Sequence, residues 1–207
     1  MNTPRTDQEA RKELDGKINT IKGMLLDINT KQSLFTVNWF HDKILMNKHH
    51  EIEPILKKNI KIESDSNKRK LISEQLTQIS QKNCPFKVLT GDVFHIKFGV
   101  GVGHELKEHH YGIVLARKGL MFLIAPLTSS PQDYGQYNYS IKGLNLSQKT
   151  DTSYVSFCHI RYIHKRRIEN IISGNNKIVD VRVSDTVANE ILNNYFEIIK
   201  EGQEFFK

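Results

Sequence analysis

The chain has 207 residues, 38% hydrophobic and 26% charged, a composition that fits a globular protein of one ordinary domain or two small ones. Thirty Lys+Arg against 23 Asp+Glu give a formal charge of +7, which favours an anionic partner, nucleic acid before others. No apolar run approaches the roughly 18 residues of a membrane span, the first residues carry no apolar signal core, and Cys84 and Cys158 lack metal-ligand spacing. The expectation is a cytoplasmic chain with two reduced, buried thiols, no metal and no membrane partner.

From residue 8 to 27 the apolar positions Leu14, Ile18, Ile21, Leu25 and Ile28 step by four and three, one face of an amphipathic helix. Gly16 and Gly23 weaken it by about 1 kcal/mol each relative to alanine, so it should lean on a partner. Asn29 and Thr30 read as a break. Leu34, Val37, Phe40, Ile44 and Leu45 continue near helical spacing, and Glu53-Pro54 opens a further segment, since proline suits a first helical turn. The polar run 63–70 reads as a linker or a frayed helix start before Leu71, Ile72, Leu76 and Ile79. His49 and His50 are adjacent, point apart on a helix, and read as a solvated pair. Residues 1–90 hold 16 Lys+Arg and 11 Asp+Glu, spread along polar faces rather than clustered.

The character changes at Asn83-Cys84-Pro85. Short β-branched and aromatic runs follow at 93–98, 111–116, 120–125, 154–157 and 177–183, separated by turn signals such as Lys118-Gly119 and Gly174-Asn175. Short strands at this spacing predict a compact barrel or a strongly bent sheet. The chain closes on an amphipathic helix at 184–200, marked by Val187, Ile191, Leu192, Tyr195 and Ile198, with Ser184 or Asp185 as its cap. The reading is thus α+β: a helical region over 1–85, then a compact barrel or strongly bent sheet with a C-terminal helix over 86–207.

Five pieces in the second half follow one another in a particular order. They are Gly91-Asp92-Val93 before a strand, Gly103-His104-Glu105 in a glycine loop, the strand at 111–116, Ala125 to Ser129 ending a third strand in PLTS, and the basic run from His159 through Arg161, Lys165 and Arg167 to Ile168. Over about residues 86–199 this order resembles the PemK/MazF family of toxin ribonucleases from bacterial type II toxin–antitoxin systems. The resemblance implies an SH3-like barrel, usually a homodimer, controlled by a cognate antitoxin. It also implies metal-independent, cofactor-free endoribonuclease cleavage of single-stranded RNA. There the RNA's own 2′-OH attacks the adjacent phosphate, leaving a 2′,3′-cyclic phosphate and a 5′-hydroxyl.

The resemblance assigns Thr128, with Ser129 beside it, to holding the transition state; hydroxyls at a strand end can donate to a phosphate oxygen. Glu105 matches the family's loop glutamate. The family's arginine, in an R-P pair opening the second strand, has no counterpart: Tyr111 and Gly112 stand there, with His109 and His110 just before. Cleavage by a 2′-OH needs a base, an acid and positive charge around the phosphorane, and histidine can move protons near neutral pH. Strand alternation puts His110 and Gly112 on one side and Tyr111 on the other. His110 is the site residue if Tyr111 faces the core, and His109 takes its place if a bulge shifts the register. Arg161 matches a family arginine that contacts RNA or the dimer interface, and Lys165 and Arg167 follow it as candidates for phosphate. His159 could read or stack on a base, and Tyr134, Tyr137 and Tyr139 offer stacking surface or packing for their loop. The missing arginine also admits a non-catalytic RNA- or protein-binding member of the fold. A gyrase-targeting toxin is a further alternative.

Overall fold

The computed structural model describes residues 6–79, 84–101, 105–131, 135–146 and 150–204. The chain divides into two compact units, residues 1–48 and 49–207.

In the first unit, α1 (Gln8–Leu26) starts where the Asp7 side chain accepts from the Ala10 amide at 3.0 Å, occupying a donor that a helix start leaves unpaired. Asn29 does the same for α2 (Thr30–Ile62), accepting from Lys31 N at 2.9 Å. The break expected at Asn29-Thr30 is therefore a cap. Ser33 Oγ donates to the Leu25 carbonyl at 2.6 Å and ties the two helices at their junction. The apolar stripe forms as expected but stays open, with Leu14, Ile18, Ile21, Leu34, Val37 and Phe40 all exposed.

In the second unit α2 runs on through Pro54. The helix start expected there does not occur; one missing amide donor is tolerated inside the 33-residue helix. Asp65 caps α3 (Ser66–Ile79), accepting from Asn67 N at 2.8 Å, so the polar run before it is partly linker and partly helix. Among the described residues no helix is long and apolar enough to cross a membrane.

The sheet is built on an antiparallel meander of β1 (Asp92–Gly99), β2 (Glu108–Lys118) and β3 (Met121–Thr128). Four short strands follow: β4 (Ser140–Lys142), β5 (Thr152–Val155), β6 (Arg161–His164) and β7 (Ile168–Glu169). Beyond them lie β8 (Ile171–Ile172), β9 (Ile178–Val179) and β10 (Val181–Arg182). The hydrogen-bonded path runs β10-β1-β2-β3-β5-β4 and does not close on itself. β6 adds to β3, and after one 3-10 turn, Lys165–Arg167, β7 adds to β1 at the opposite side of the meander. Gly91 sets the entry to β1 at φ +86°, and a Cβ there would meet the Val183 carbonyl at 2.6 Å. Only glycine fits both demands.

Alternation sorts the meander's side chains into two cores. Val93, Ile113, Ala125 and Leu127 pack with Ala188 and Ile191 of α4 (Asp185–Glu204). Phe94, Ile96, Phe98, Val114 and Ile124 pack with Ile163 and Ile168 on the other face. Ser184 caps α4 by accepting from Val187 N at 3.2 Å. Neither cysteine forms a disulfide, but they are not the buried pair expected: Cys84 is half-buried and Cys158 exposed.

Candidate functional site

β2 begins at Glu108, so His109 and His110 lie within the strand and not in the preceding loop. Val93 pairs Ile113, and the register continues through His95 opposite Tyr111 to Lys97 opposite His109. This parity decides where each side chain goes. Tyr111 packs beside the α4-side core, 5.5 Å from the His95 ring. His110 projects to the other face, its ring 6.1 Å from Phe98. Gly112 shares that face, and a Cβ on it would stand 2.5 Å from Ile124 Cγ2. The residue under the strand is therefore held to glycine by packing.

His110, Thr128 and Ser129 line one cleft of about 540 Å³ together with His95, His109, Tyr111, Ser130 and Thr152. Thr128 ends β3, pairs with Tyr154 of β5, and donates its hydroxyl to the Ser130 carbonyl at 2.8 Å. That proton must turn to serve a ligand. Burial pushes the His110 pKa below its ordinary value, while contacts with the backbone of Lys107 and Leu127 and the Glu108 charge oppose the shift. The net effect holds His110 neutral near pH 7, the form that accepts a proton.

A cationic group stands on the same side. Arg161, opening β6 opposite Ile124, places its guanidinium carbon 5.0 Å from the centre of the Phe98 ring. Burial lowers its pKa and the Glu105 charge offsets this; its Nε is buried without a hydrogen-bond partner. His159 lies close enough for its charge to disfavour that of His110, and its Nδ1 meets Ser156 Oγ at 2.8 Å, which fixes the ring. Glu105 is itself exposed. His110 and Arg161 thus both stand beside Phe98, with His159 near His110 and Glu105 near Arg161.

Other candidates go elsewhere. Arg167 donates from Nε to the Lys97 carbonyl at 2.7 Å and from Nη2 to the Phe98 carbonyl, clamping the end of β1. Burial brings its pKa down to about 10. Lys165 Nζ reaches the Phe86 carbonyl at 3.2 Å, in a different cleft lined by His50, Glu53 and His164. Tyr137 and Tyr139 donate to Glu201 and Glu190 of α4 at 2.6 and 2.5 Å, bonds that tie their loop to the helix. Gly103, His104 and Tyr134 lie outside the described residues.

Three residues in or beside the site were not singled out by sequence. His95 and Lys97 sit on β1 beside His109, with the His95 and His109 rings 5.0 Å apart. Glu169, opposite His95 on β7, pairs with Lys97 Nζ at 3.0 Å. The polar alternation of His95 and Lys97 between Val93, Phe94, Ile96 and Phe98 was a visible signal. Glu169 gave none, because only the turn at Lys165–Arg167 brings β7 to β1.

A family model described as PemK-like, MazF-like toxin of type II toxin–antitoxin system matches residues 89–193, just over half of the chain. No curated protein matches.

Proposed function

The chain belongs to the family of PemK-like, MazF-like toxins of type II toxin–antitoxin systems, and from that premise we propose that it is an endoribonuclease cleaving single-stranded RNA without a metal. The family implies an antitoxin partner. The observation that carries the reading is the convergence of His110, Thr128 and Ser129 on one cleft, with Arg161 sharing the Phe98 ring with His110 and His159 near enough to act on its charge.

In the proposed reaction neutral His110 takes the proton of a ribose 2′-OH, whose oxygen attacks the adjacent phosphorus. The bond to the 5′-oxygen breaks, leaving a 2′,3′-cyclic phosphate, and His159 returns a proton to the leaving oxygen. Arg161, with its unsatisfied Nε–H, and Thr128 stabilise the charge gathering on the phosphorane oxygens. Glu105 holds Arg161 charged against its burial. Lys165 and Arg167 serve the fold in this scheme, through their bonds to main-chain carbonyls.

The same reading treats residues 86–207 as an SH3-like barrel domain, acting in the cytoplasm as a homodimer, and residues 1–85 as a helical N-terminal region whose part from residue 49 lies in the barrel's compact unit. What supports the barrel is that β6 and β7, one turn apart, join opposite sides of the meander. A second reading, a non-catalytic RNA binder, is favoured by one observation: the expected arginine is Tyr111, which packs beside a core.

The test is incubation of the purified chain with single-stranded RNA in EDTA, followed by mapping of the ends. Cleavage to cyclic phosphate and 5′-hydroxyl ends, lowered about 10²-fold or more by His110→Ala and by Thr128→Ala, is expected. RNA bound but left intact from pH 5.5 to 8.5, a span around histidine's reference pKa of about 6.5, would establish the second reading instead.

A further inference from the structure

Three adjacent strands bring two imidazoles and a carboxylate together on the face of the sheet that carries Tyr111. β7 supplies Glu169 directly opposite His95 of β1, and β2 supplies His109 opposite Lys97, diagonal to His95. Direct neighbours on a sheet face stand about 5 Å apart and diagonals about 7–8 Å, within reach of long side chains. Here one ligating atom from each of His95, His109 and Glu169 lies within 4.8 Å of the others. His95 Nδ1 and Glu169 Oε2 are 4.0 Å apart.

We propose that His95, His109 and Glu169 form a binding site for a divalent transition-metal ion, zinc foremost, in the wall of the cleft. The donor set selects the metal: two imidazole nitrogens suit zinc, cobalt, nickel or copper, whereas magnesium and calcium want an all-oxygen shell. Ligand atoms around a tetrahedral zinc stand about 3.3 Å apart, from bonds of about 2.0–2.1 Å. His109 is exposed and can swing; His95 and Glu169 are half-buried and already set by their strands. Small side-chain rotations therefore close the triad with no change of backbone.

Lys97 is the built-in competitor. Its ammonium occupies Glu169 Oε1 at 3.0 Å, while Oε2 is the oxygen turned toward His95. A bound dication must share the carboxylate with that charge or displace it, so Lys97 weakens the site and its removal strengthens it. Three protein ligands leave at least one coordination position for water or a phosphate oxygen. Because His95 and His109 also line the cleft with Thr128 and Ser129, an ion held there faces whatever the cleft binds. The proposed cleavage routes no step through this ion, and the site stands or falls independently of that reaction.

Untagged protein stripped with EDTA is titrated with Co²⁺, followed by visible absorption and calorimetry, and then displaced with Zn²⁺. One ion per chain is expected. His109→Ala removes an exposed ligand and should keep the fold, checked by circular dichroism; it should weaken binding about 10²-fold, as should Glu169→Gln, since even partners of ligands are worth 10–100-fold. Lys97→Met should tighten it severalfold. Binding that survives His109→Ala and Glu169→Gln unchanged overturns the assignment. So does binding lost instead in His164→Ala, whose ring lies 5.1 Å from His50 elsewhere, or wild-type protein that takes up no Co²⁺.

Discussion

Replacing Gly112 with alanine tests the register that fixes which side chains share a face with His110. The new Cβ would stand 2.5 Å from Ile124 Cγ2 and 3.2 Å from Ile96 Cγ1, and both isoleucines are fully buried in the core on that face. Neither can withdraw into solvent, so the strand must shift or the isoleucines must leave their rotamers. Such overpacking costs about 1–3 kcal/mol. Alanine recovers about 0.4–1 kcal/mol by restricting the unfolded chain, which leaves a net loss of about 1–2 kcal/mol. At about 2–4 °C per kcal/mol for a chain of this size, the melting temperature should fall by about 2–8 °C. Calorimetry or a urea titration reads this directly. Adding Ile124→Ala removes the clashing methyl, so the double mutant should be less destabilised than the two single losses combined, by about 1 kcal/mol or more. An unchanged or raised melting temperature in Gly112→Ala would mean that the methyl finds space, and that His110 and Tyr111 face differently from the arrangement described.

Burial lowers the folded-state pKa of His110 below the unfolded value near 6.5. Between the two values the unfolded chain binds more protons, so the stabilisation from keeping His110 neutral is complete above about pH 6.5 and is lost as pH falls through the folded pKa. His95 and His164 shift the same way by burial. Urea midpoints should therefore drop on acidification below pH 6.5, less steeply in His110→Gln; an identical slope would count against the burial of that imidazole. Arg167→Met keeps the stem but loses donors to the Lys97 and Phe98 carbonyls, each such charged bond being worth about 1.5–3 kcal/mol. Stability should fall by about 3–6 kcal/mol while the salt dependence of RNA binding keeps its slope; a slope reduced by about one would mean that Arg167 contacts phosphate as well.

The parts legible in the sequence were those written by local periodicity. The three strands of the meander, the last helix with its Ser184 cap, and the apolar steps of α1 and α2 all announce themselves within a dozen residues. The less legible parts depend on long-range pairing. Nothing near Pro54 says that α2 continues, because a first-turn proline and a tolerated interior proline have the same neighbours. β7 is two residues long, too short for any periodic signal, yet it carries Glu169 to His95. Arg167 reads as a candidate for phosphate because its charge is visible in sequence, whereas the carbonyls it bonds, 70 and 69 residues away, are not. For Tyr137 and Tyr139 the sequence left stacking and loop packing both open, because their acceptors Glu201 and Glu190 lie more than 50 residues away on α4.

The position expected to hold the family's arginine shows why parity matters more than residue type here. Tyr111 lies on the face that carries His95 and α4, so no side chain there can share a face with Arg161, which comes across on β6 to stack on Phe98. His110, one residue earlier, does share it. On the proposed reading the two duties that one arginine would combine, moving a proton and neutralising the phosphorane, are divided between His110 and Arg161. The division is chemically economical, because burial works on the two groups in compatible ways. It depresses the His110 pKa, which keeps a base available near neutrality. The same burial acts on Arg161, whose guanidinium is basic enough to stay charged even when its pKa is lowered, and Glu105 nearby reinforces that charge. One low-dielectric pocket beside Phe98 can therefore hold a neutral acceptor and a permanent cation together, the pair that attack by a 2′-OH requires.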